Sequence, residues 1–559
     1  MAAGQPKPET LNHPTAGWSA WIPPGSLLTY SPAMILLLTA ILSAVNYTNS
    51  DMWGHLRFGA DIIARGGVMR NDPYAYSIAA QPWVSHEWLS EVIMAKAYST
   101  WGAFGLKMIK LACAASTVIF LAAAVGETGA PLPIQGVVMM AVVVGLTPQM
   151  EFRPQDFSYA LLSFVAALLA RDNYRGGARL WIVIPLMAIW SNLHGGFATG
   201  LAALAVYAAA VGAQDWMEGR GLHRATRLGA IVAGAAVMTL ATPYGIGTWY
   251  SVAHTISRPA MLESIVEWQP LPTAMVSIWQ RSAVDRAFGV IIFGVFIAFA
   301  IAVVLAPRGK DFPLLAVAAT MIWAMISALR NISLGLIATA APLARHAALA
   351  TERWTTQSRP LPRPAGQSRG AKRRTAKGGA AGDASRETAS VPNHASVVTE
   401  VIIAMLAIAL ANRAGLFTGR IRADRDYPAG AVAFMEDNGL HGNLLAAYYW
   451  NDFLLYYCSP ASHVFIDGRF ETLYPDRLAQ EFENFETNHP GGAAMLKDYP
   501  HDFVMIPVHY RAAHLMDNNP DWKLIYRDNV ALLYARAASP AAHIPGVPVI
   551  AAAPQVTFR

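Results

Sequence analysis

Between Asp51 and Glu91 the chain sets Asp51, Trp53, His55, Arg57, Asp72, His86, Glu87, Trp88 and Glu91 directly behind an apolar segment. A helix needs none of them to sit in a bilayer. Carboxylates, imidazoles and tryptophans crowded at a membrane face suit a polar group on a lipid carrier. A carboxylate within reach of an acceptor hydroxyl can take its proton, and Asp51, just past the first apolar segment, is the candidate base. Asp72 opens an Asp-Pro-Tyr turn pattern and is as much a turn former as a second catalytic carboxylate. Glu87 heads an expected helix Glu87–Trp101, where the helix dipole favours an acid with or without chemistry. Trp53, His55, Arg57, His86 and Trp88 are the substrate-binding candidates of this loop. Met52–Arg65 reads as an amphipathic helix lying on the membrane surface. Asp51, His55, His86 and Glu87 are possible ligands of a divalent metal, but HEWLSE lacks the HExxH spacing, so no metal site and no cofactor is assigned.

Further along, polar residues interrupt apolar runs. Arg153 lies in QMEFRPQDFS, Asn192 and His194 in SNLHGGF, and Arg330 between two apolar segments. Polar groups at membrane depth usually face a cavity. A guanidinium stays charged and binds phosphate through two parallel bonds, so Arg153 and Arg330 are candidates for a lipid phosphate. Arginine that merely reaches for lipid headgroups is an equal reading for Arg153 and the weaker one for Arg330.

The elements that must position these residues are mostly helices in lipid. The chain has 559 residues, 54% hydrophobic and 14% charged, with mean hydropathy +0.32. Soluble domains carry roughly 25% charge. Apolar segments near 27–47, 104–125, 133–147, 157–170, 179–193, 196–213, 227–242, 286–306, 312–329, 332–349 and 396–412 predict about eleven transmembrane helices. The first lacks a basic leader with a small-residue cleavage site and reads as a retained anchor. Arg171, Arg175 and Arg179, then Arg220, Arg224 and Arg227, then Arg308 and Lys310 follow separate spans. With eleven spans these loops share one side with the N-terminus, and positive charge makes that side cytoplasmic. The Asp51 loop, Arg153, His194, residues 243–285, Arg330 and the C-terminal part then face outward. The expected location is a bacterial inner membrane.

Residues 412–559 hold 12 basic and 16 acidic residues, against 30 and 20 in residues 1–411. This split follows from topology and implies no nucleic-acid partner. The expected domains are a membrane part over 1–353 with its outward loop at 48–91, a disordered basic cytoplasmic linker over 354–396, and a last transmembrane helix at 397–412. An extracytoplasmic α/β domain follows over 413–540 and a flexible tail over 541–559. In that domain Ala431–Asn438 reads as a helix, Leu444–Tyr449, His463–Asp467 and Phe503–Val508 as strands, and Leu524–Tyr526 with Val530–Tyr534 as a hairpin. The Tyr449–Asp452 and Phe465–Phe470 stretches place aromatics beside acids, as a sugar site does, but read first as strand ends and turns. Cys113 and Cys458 lie in unlike surroundings, and no disulfide is expected.

The pattern D-x-W-x-H-L-x-x-G…D-P-Y-x-Y-S…W-x-x-H-E-W-L-x-E, running from Asp51 to Glu91, resembles bacterial relatives of the GT-C membrane glycosyltransferases. That superfamily includes the protein O-mannosyltransferases, the lipid A aminoarabinose transferase and the oligosaccharyltransferases. The resemblance covers residues only in this loop and around SNLHGGF, and otherwise the order of elements. It implies a polyprenyl-phosphate sugar donor, a lipid, glycan or protein acceptor, inversion at the transferred sugar, and Asp51 as general base. Mannosyltransferase relatives carry an adjacent Asp-Glu pair, whereas Asp51 is flanked by Ser50 and Met52; whether Asp51 works alone, with Asp72 or with Glu87 stays open. Divalent metal is used by some members only. A polar-lipid transporter or flippase and a non-enzymatic envelope assembly protein are the alternatives. The first predicts repeated halves, which the sequence lacks.

Overall fold

The computed structural model describes residues 30–78, 80–257, 265–280, 282–307, 311–357, 394–423, 426–517, 519–544 and 557–558. Most of the expected linker, the start of the first apolar segment and most of the tail lie outside the described residues.

Every one of the predicted apolar segments contains a helix: Pro32–Leu42, Ala103–Gly126, Leu132–Leu146, Gln155–Tyr174, Val183–Leu193, Phe197–Met217, His223–Met238, Ala283–Leu305, Phe312–Ser327, Ile332–Gln357 and His394–Arg413. Among the described residues, five helical stretches are long and apolar enough to cross a membrane: Ala103–Gly126, Leu132–Gln149, Phe197–Met217, Ala283–Leu305 and Leu329–Trp354. Small residues let these helices approach. A Cβ at Gly200 would strike the Trp190 ring, the kind of contact that drives helix association in lipid.

The helix Ser50–Arg65 is closed at both ends by its own sequence. The Asn49 side chain accepts the Asp51 N–H, and Gly66 adopts φ +70° as the left-handed cap. The sequence predicts that its apolar face lies on a membrane surface; in the structure that face is instead buried against protein. Met52, Trp53, Leu56, Phe58 and Ile62 are buried in one core shared with the C-terminal domain. Trp53 meets Phe453 edge-on with ring centroids 5.6 Å apart. An amphipathic pattern specifies an apolar partner but not whether lipid or protein supplies it. Helix Trp88–Trp101 packs on the same helix, so closely at Gly59 that a Cβ there would fall onto the Glu91 carbonyl.

The C-terminal domain is built on a five-stranded sheet: β1 Asn443–Ala446, β2 His463–Val464, β3 Phe503–Pro507, β4 Trp522–Arg527 and β5 Ala531–Arg536, in the order β2-β1-β3-β5-β4. β1 is parallel to β2 and β3, while β5 is antiparallel to β3 and β4. β3 is buried along its whole length, as befits a central strand covered on both faces. The strands and the helix Ala429–Asp437 fall close to their predicted positions. The first loop joins this sheet, for Ala75 bridges Val464 in parallel and the Val464 N–H donates to the Tyr74 carbonyl. Two buried lysines fix the join. Lys107 Nζ donates to the carbonyls of Gly415, Thr418 and Arg420 at 2.5–2.7 Å, and Lys110 Nζ to that of Val45. A buried ammonium without such acceptors would be strongly destabilising. Both cysteines are free.

Candidate active site

A cavity of about 520 Å³ lies where the first loop, the helical bundle and the C-terminal domain meet. Asp51, His55, His86, Glu87, Arg153, His194 and Arg330 all line it. Arg153 donates to Asp51 and, at 3.2 Å, to Glu267. The guanidinium is therefore held by carboxylates on two different segments, and it orients Asp51.

Glu87 sits at the start of helix Trp88–Trp101 among three imidazoles. His194 Nε2 is 3.3 Å from its carboxylate, His86 Nε2 3.7 Å and His55 Nδ1 3.8 Å. Burial would raise Glu87, but the charges of His86, His194, His55 and Arg153 outweigh it and bring the carboxyl down to about 2. His194 is pulled the other way, to about 4, chiefly because it is buried. Its hydrogen bonds agree. The Gly196 N–H donates to His194 Nδ1 at 2.9 Å, so Nδ1 is an acceptor and the proton sits on Nε2, toward Glu87. Burial alone would lower His55, but Glu91, Glu87 and Asp51 raise it.

The Gly195-Gly196 pair is explained by crowding. A Cβ at Gly195 would lie 3.3 Å from the His86 ring, and one at Gly196 2.8 Å from His194 Nδ1. Arg330 stacks over the Trp268 ring at 4.0 Å, and its charge acts on the neighbouring Glu267 carboxylate. Beyond it the wall turns apolar, with Val252, Met321, Trp323, Ala324 and Leu334.

Other predicted residues lie off the cavity. Trp53 is fully buried in the domain core. Arg57 is held by Asp61 at 2.9 Å and the Ser459 carbonyl at 2.8 Å. Trp88 donates to Asn192 at 2.8 Å, so these two support the wall from behind. Asp72 accepts from the N–H groups of Tyr74 and Ala75 and pairs with Arg469 at 2.7 Å, joining the first loop to the C-terminal domain. It is the turn former its Asp-Pro-Tyr setting allows.

Several lining residues carry no sequence prediction as site residues. Glu91 is 3.4 Å from His55. Trp268 comes from the loop after the seventh apolar segment, with no recognisable motif, and Glu267 beside it holds Arg153. Asp452, Gly468, Arg469 and Thr472 come from the C-terminal domain. The aromatic–acid stretches there were the available signal, and strand-end geometry explains them equally well until the domain is seen against the cavity.

His55, Glu87 and Glu91 offer ligand atoms all within 4.8 Å of one another. Donors about 2.1 Å from one ion stand roughly 3–4 Å apart, so this set could hold a divalent cation once its side chains draw slightly together. The sequence considered Asp51, His55, His86 and Glu87; the structure substitutes Glu91 for Asp51 and His86, because helix packing at Gly59 brings Glu91 beside His55.

No protein-family model and no curated protein matches the sequence. Among solved structures, the archaeal oligosaccharyltransferase AglB from Archaeoglobus fulgidus, in complex with an inhibitory peptide and a dolichol-phosphate, matches 88% of this chain and 70% of its own at TM-score 0.51 and 10% identity. The chain has the GT-C fold. The mycobacterial arabinofuranosyltransferase AftD is also similar, at TM-score 0.49 and 13% identity over 93% of this chain. The match spans only 42% of AftD. In the GT-C fold found here, the first loop and the C-terminal domain close one cavity from the same end of the bundle.

Proposed function

We propose that this chain is a membrane glycosyltransferase that moves a sugar from a polyprenyl-phosphate donor to an extracytoplasmic acceptor. The observation that carries the reading is the cavity itself. It brings Asp51, clamped by Arg153, together with Arg330 and an apolar lining in one cavity, within a GT-C fold. AglB was solved with dolichol-phosphate, which supports a lipid-linked donor. No observation favours a transporter.

In this reading the donor phosphate lies against Arg330 and its chain runs along Val252, Met321, Trp323 and Leu334. The acceptor hydroxyl gives its proton to Asp51 as its oxygen bonds to the anomeric carbon. The carbon–oxygen bond to phosphate breaks on the opposite face, the electron pair leaves on the phosphate, and configuration inverts. Arg330 stabilises that charge as it develops. His55, Glu87 and Glu91 would hold a divalent cation, which supplies Lewis acidity for phosphate oxygens when bound. Arginines 171, 175, 179, 220, 224 and 227 mark the other end of the bundle as cytoplasmic in an eleven-span arrangement, with Asp51 and the C-terminal domain outside a bacterial inner membrane.

The test compares wild type and Asp51→Asn in nanodiscs, with radiolabelled polyprenyl-phosphate sugars as donors and a membrane extract as acceptor. Wild type transfers label and the variant loses it by about 10²–10⁴-fold, the range for a general base, with unchanged melting. Transfer by both removes Asp51 as base. Lipid translocation without transfer by wild type overturns the reading.

A further inference from the structure

The C-terminal domain contributes two ionisable side chains to the cavity, Asp452 and Arg469, beside the Thr472 hydroxyl. Asp452 heads the helix Asn451–Cys458, is buried, and takes the Gly468 N–H at 3.1 Å. No Lys, Arg or His side chain pairs with it among the described residues, although Asp51 and Asp467 are close enough to act on it electrostatically. Two glycines make room for this carboxyl: a Cβ at Gly54 would lie 3.0 Å from its Cγ, and one at Gly468 would strike it. First burial, then the charges of Asp467 and Asp51, raise it well above the usual carboxylate range, which favours a proton on this carboxyl and with it a hydrogen-bond donor facing the cavity.

Arg469 is about nine-tenths buried. Its Nε donates to Asp467 at 2.9 Å, and its Nη2 is shared by Asp467 at 2.5 Å and Asp72 at 2.7 Å. The guanidinium lies over Trp83, Phe58 and Tyr74 at 4.4, 4.9 and 5.1 Å. Nη1 is left without a hydrogen-bond partner among the described residues. A buried charged donor left unpaired is costly, and a ligand oxygen in the cavity would satisfy it.

Charge decides what kind of ligand that is. Two carboxylates already neutralise Arg469, so a phosphate or carboxylate placed there would face net negative charge. A neutral oxygen faces no such penalty. Asp452 adds a donor of the same preference beside it, and Thr472 a hydroxyl. Arg330 lies over the Trp268 ring, away from the Asp72 and Asp467 carboxylates that hold Arg469.

Resting on the transferase reading above, we propose that Asp452 and Arg469 form the acceptor subsite and that it takes a neutral polyhydroxylated acceptor, a saccharide hydroxyl being held between Asp452 and Asp51. The anionic donor occupies the opposite end. Both residues are binding and positioning groups, and the proton still goes to Asp51.

The test uses full-length protein in nanodiscs and saturation-transfer NMR with neutral methyl glycosides of mannose, glucose, galactose and arabinose. Methyl glucuronide and glucose 6-phosphate are the anionic counterparts, and undecaprenyl phosphate is titrated separately. At least one neutral glycoside binds saturably and the anionic ones do not. Asp452→Ala weakens that binding at least tenfold, Asp452→Asn stays within about threefold because its amide still donates, and neither changes undecaprenyl-phosphate affinity more than twofold. Binding of no neutral glycoside, preference for the anionic ones, an unaffected Asp452→Ala, or equal loss of lipid-phosphate binding each overturns the proposal. Saturable glycoside binding lost in Asp452→Ala, in a protein that transfers no sugar from any donor, would refute the transferase reading and leave the polyol site standing.

Discussion

Gly59→Ala tests whether the spacing of two helices sets the site. Gly59 lines no cavity, yet its missing side chain allows Ser50–Arg65 and Trp88–Trp101 to touch. An alanine Cβ would sit 2.9 Å from the Ala95 Cβ and fall onto the Glu91 carbonyl. Carbon atoms settle at about 3.5–4.0 Å, and the obstacle includes backbone, so the helices must part by about 1 Å. His55 rides on one helix and Glu91 on the other, 3.4 Å apart. Adding that opening takes the pair beyond hydrogen-bond reach and pulls Glu87 and Glu91 out of range of one ion. Overpacking of this kind costs about 1–3 kcal/mol, and a displacement of 1 Å in a catalytic constellation about 10²-fold in rate. The variant should therefore melt lower and transfer label about a hundredfold more slowly in nanodiscs, while Gly67→Ala, whose Cβ meets nothing within 4 Å, behaves as wild type. Gly59→Ala with wild-type melting and transfer would refute the reasoning.

Two further outcomes follow from the same geometry. Mn²⁺ should bind wild type at one tight site by electron paramagnetic resonance titration, and Glu91→Gln should weaken it at least tenfold; equal affinity would remove His55, Glu87 and Glu91 as ligands. In the C-terminal domain, burial foremost and the nearby Arg536 charge bring His501 down to about 4, with its Nδ1 2.6 Å from the Tyr76 hydroxyl. An unfolded histidine titrates at 6.5, so between 6.5 and 4 the unfolded chain binds the extra proton. That contribution is present above pH 6.5 and is lost as pH falls through the window, about 3 kcal/mol in all. Hydrogen exchange of β3 should show this loss in wild type and a shallower one in His501→Gln; equal slopes would contradict it.

Much of this protein is legible without coordinates. Apolar runs mark the helices because lipid leaves a backbone no other way to satisfy its hydrogen bonds. The domain strands show because β1, β2 and β3 are short apolar runs between turn residues. The Asp51–Glu91 loop stands out because nothing in a bilayer requires its charges. Within it, types outran roles. Asp51, His55 and Glu87 reach the cavity, while Trp53 and Arg57, on the same helix, turn into the core and toward Ser459.

The sequence by itself determined the membrane character, the helices, the small α/β domain and the polar loop that lines the cavity, since each rests on local composition and period. Only the tertiary structure decided that Arg153 clamps Asp51, that Glu91 joins His55 and Glu87, and that Asp452 and Arg469 enter the cavity from 400 residues downstream. The reason is physical: periodicity says that a face must be buried, not which distant surface buries it. A buried charge, likewise, takes its role from neighbours that packing alone brings near.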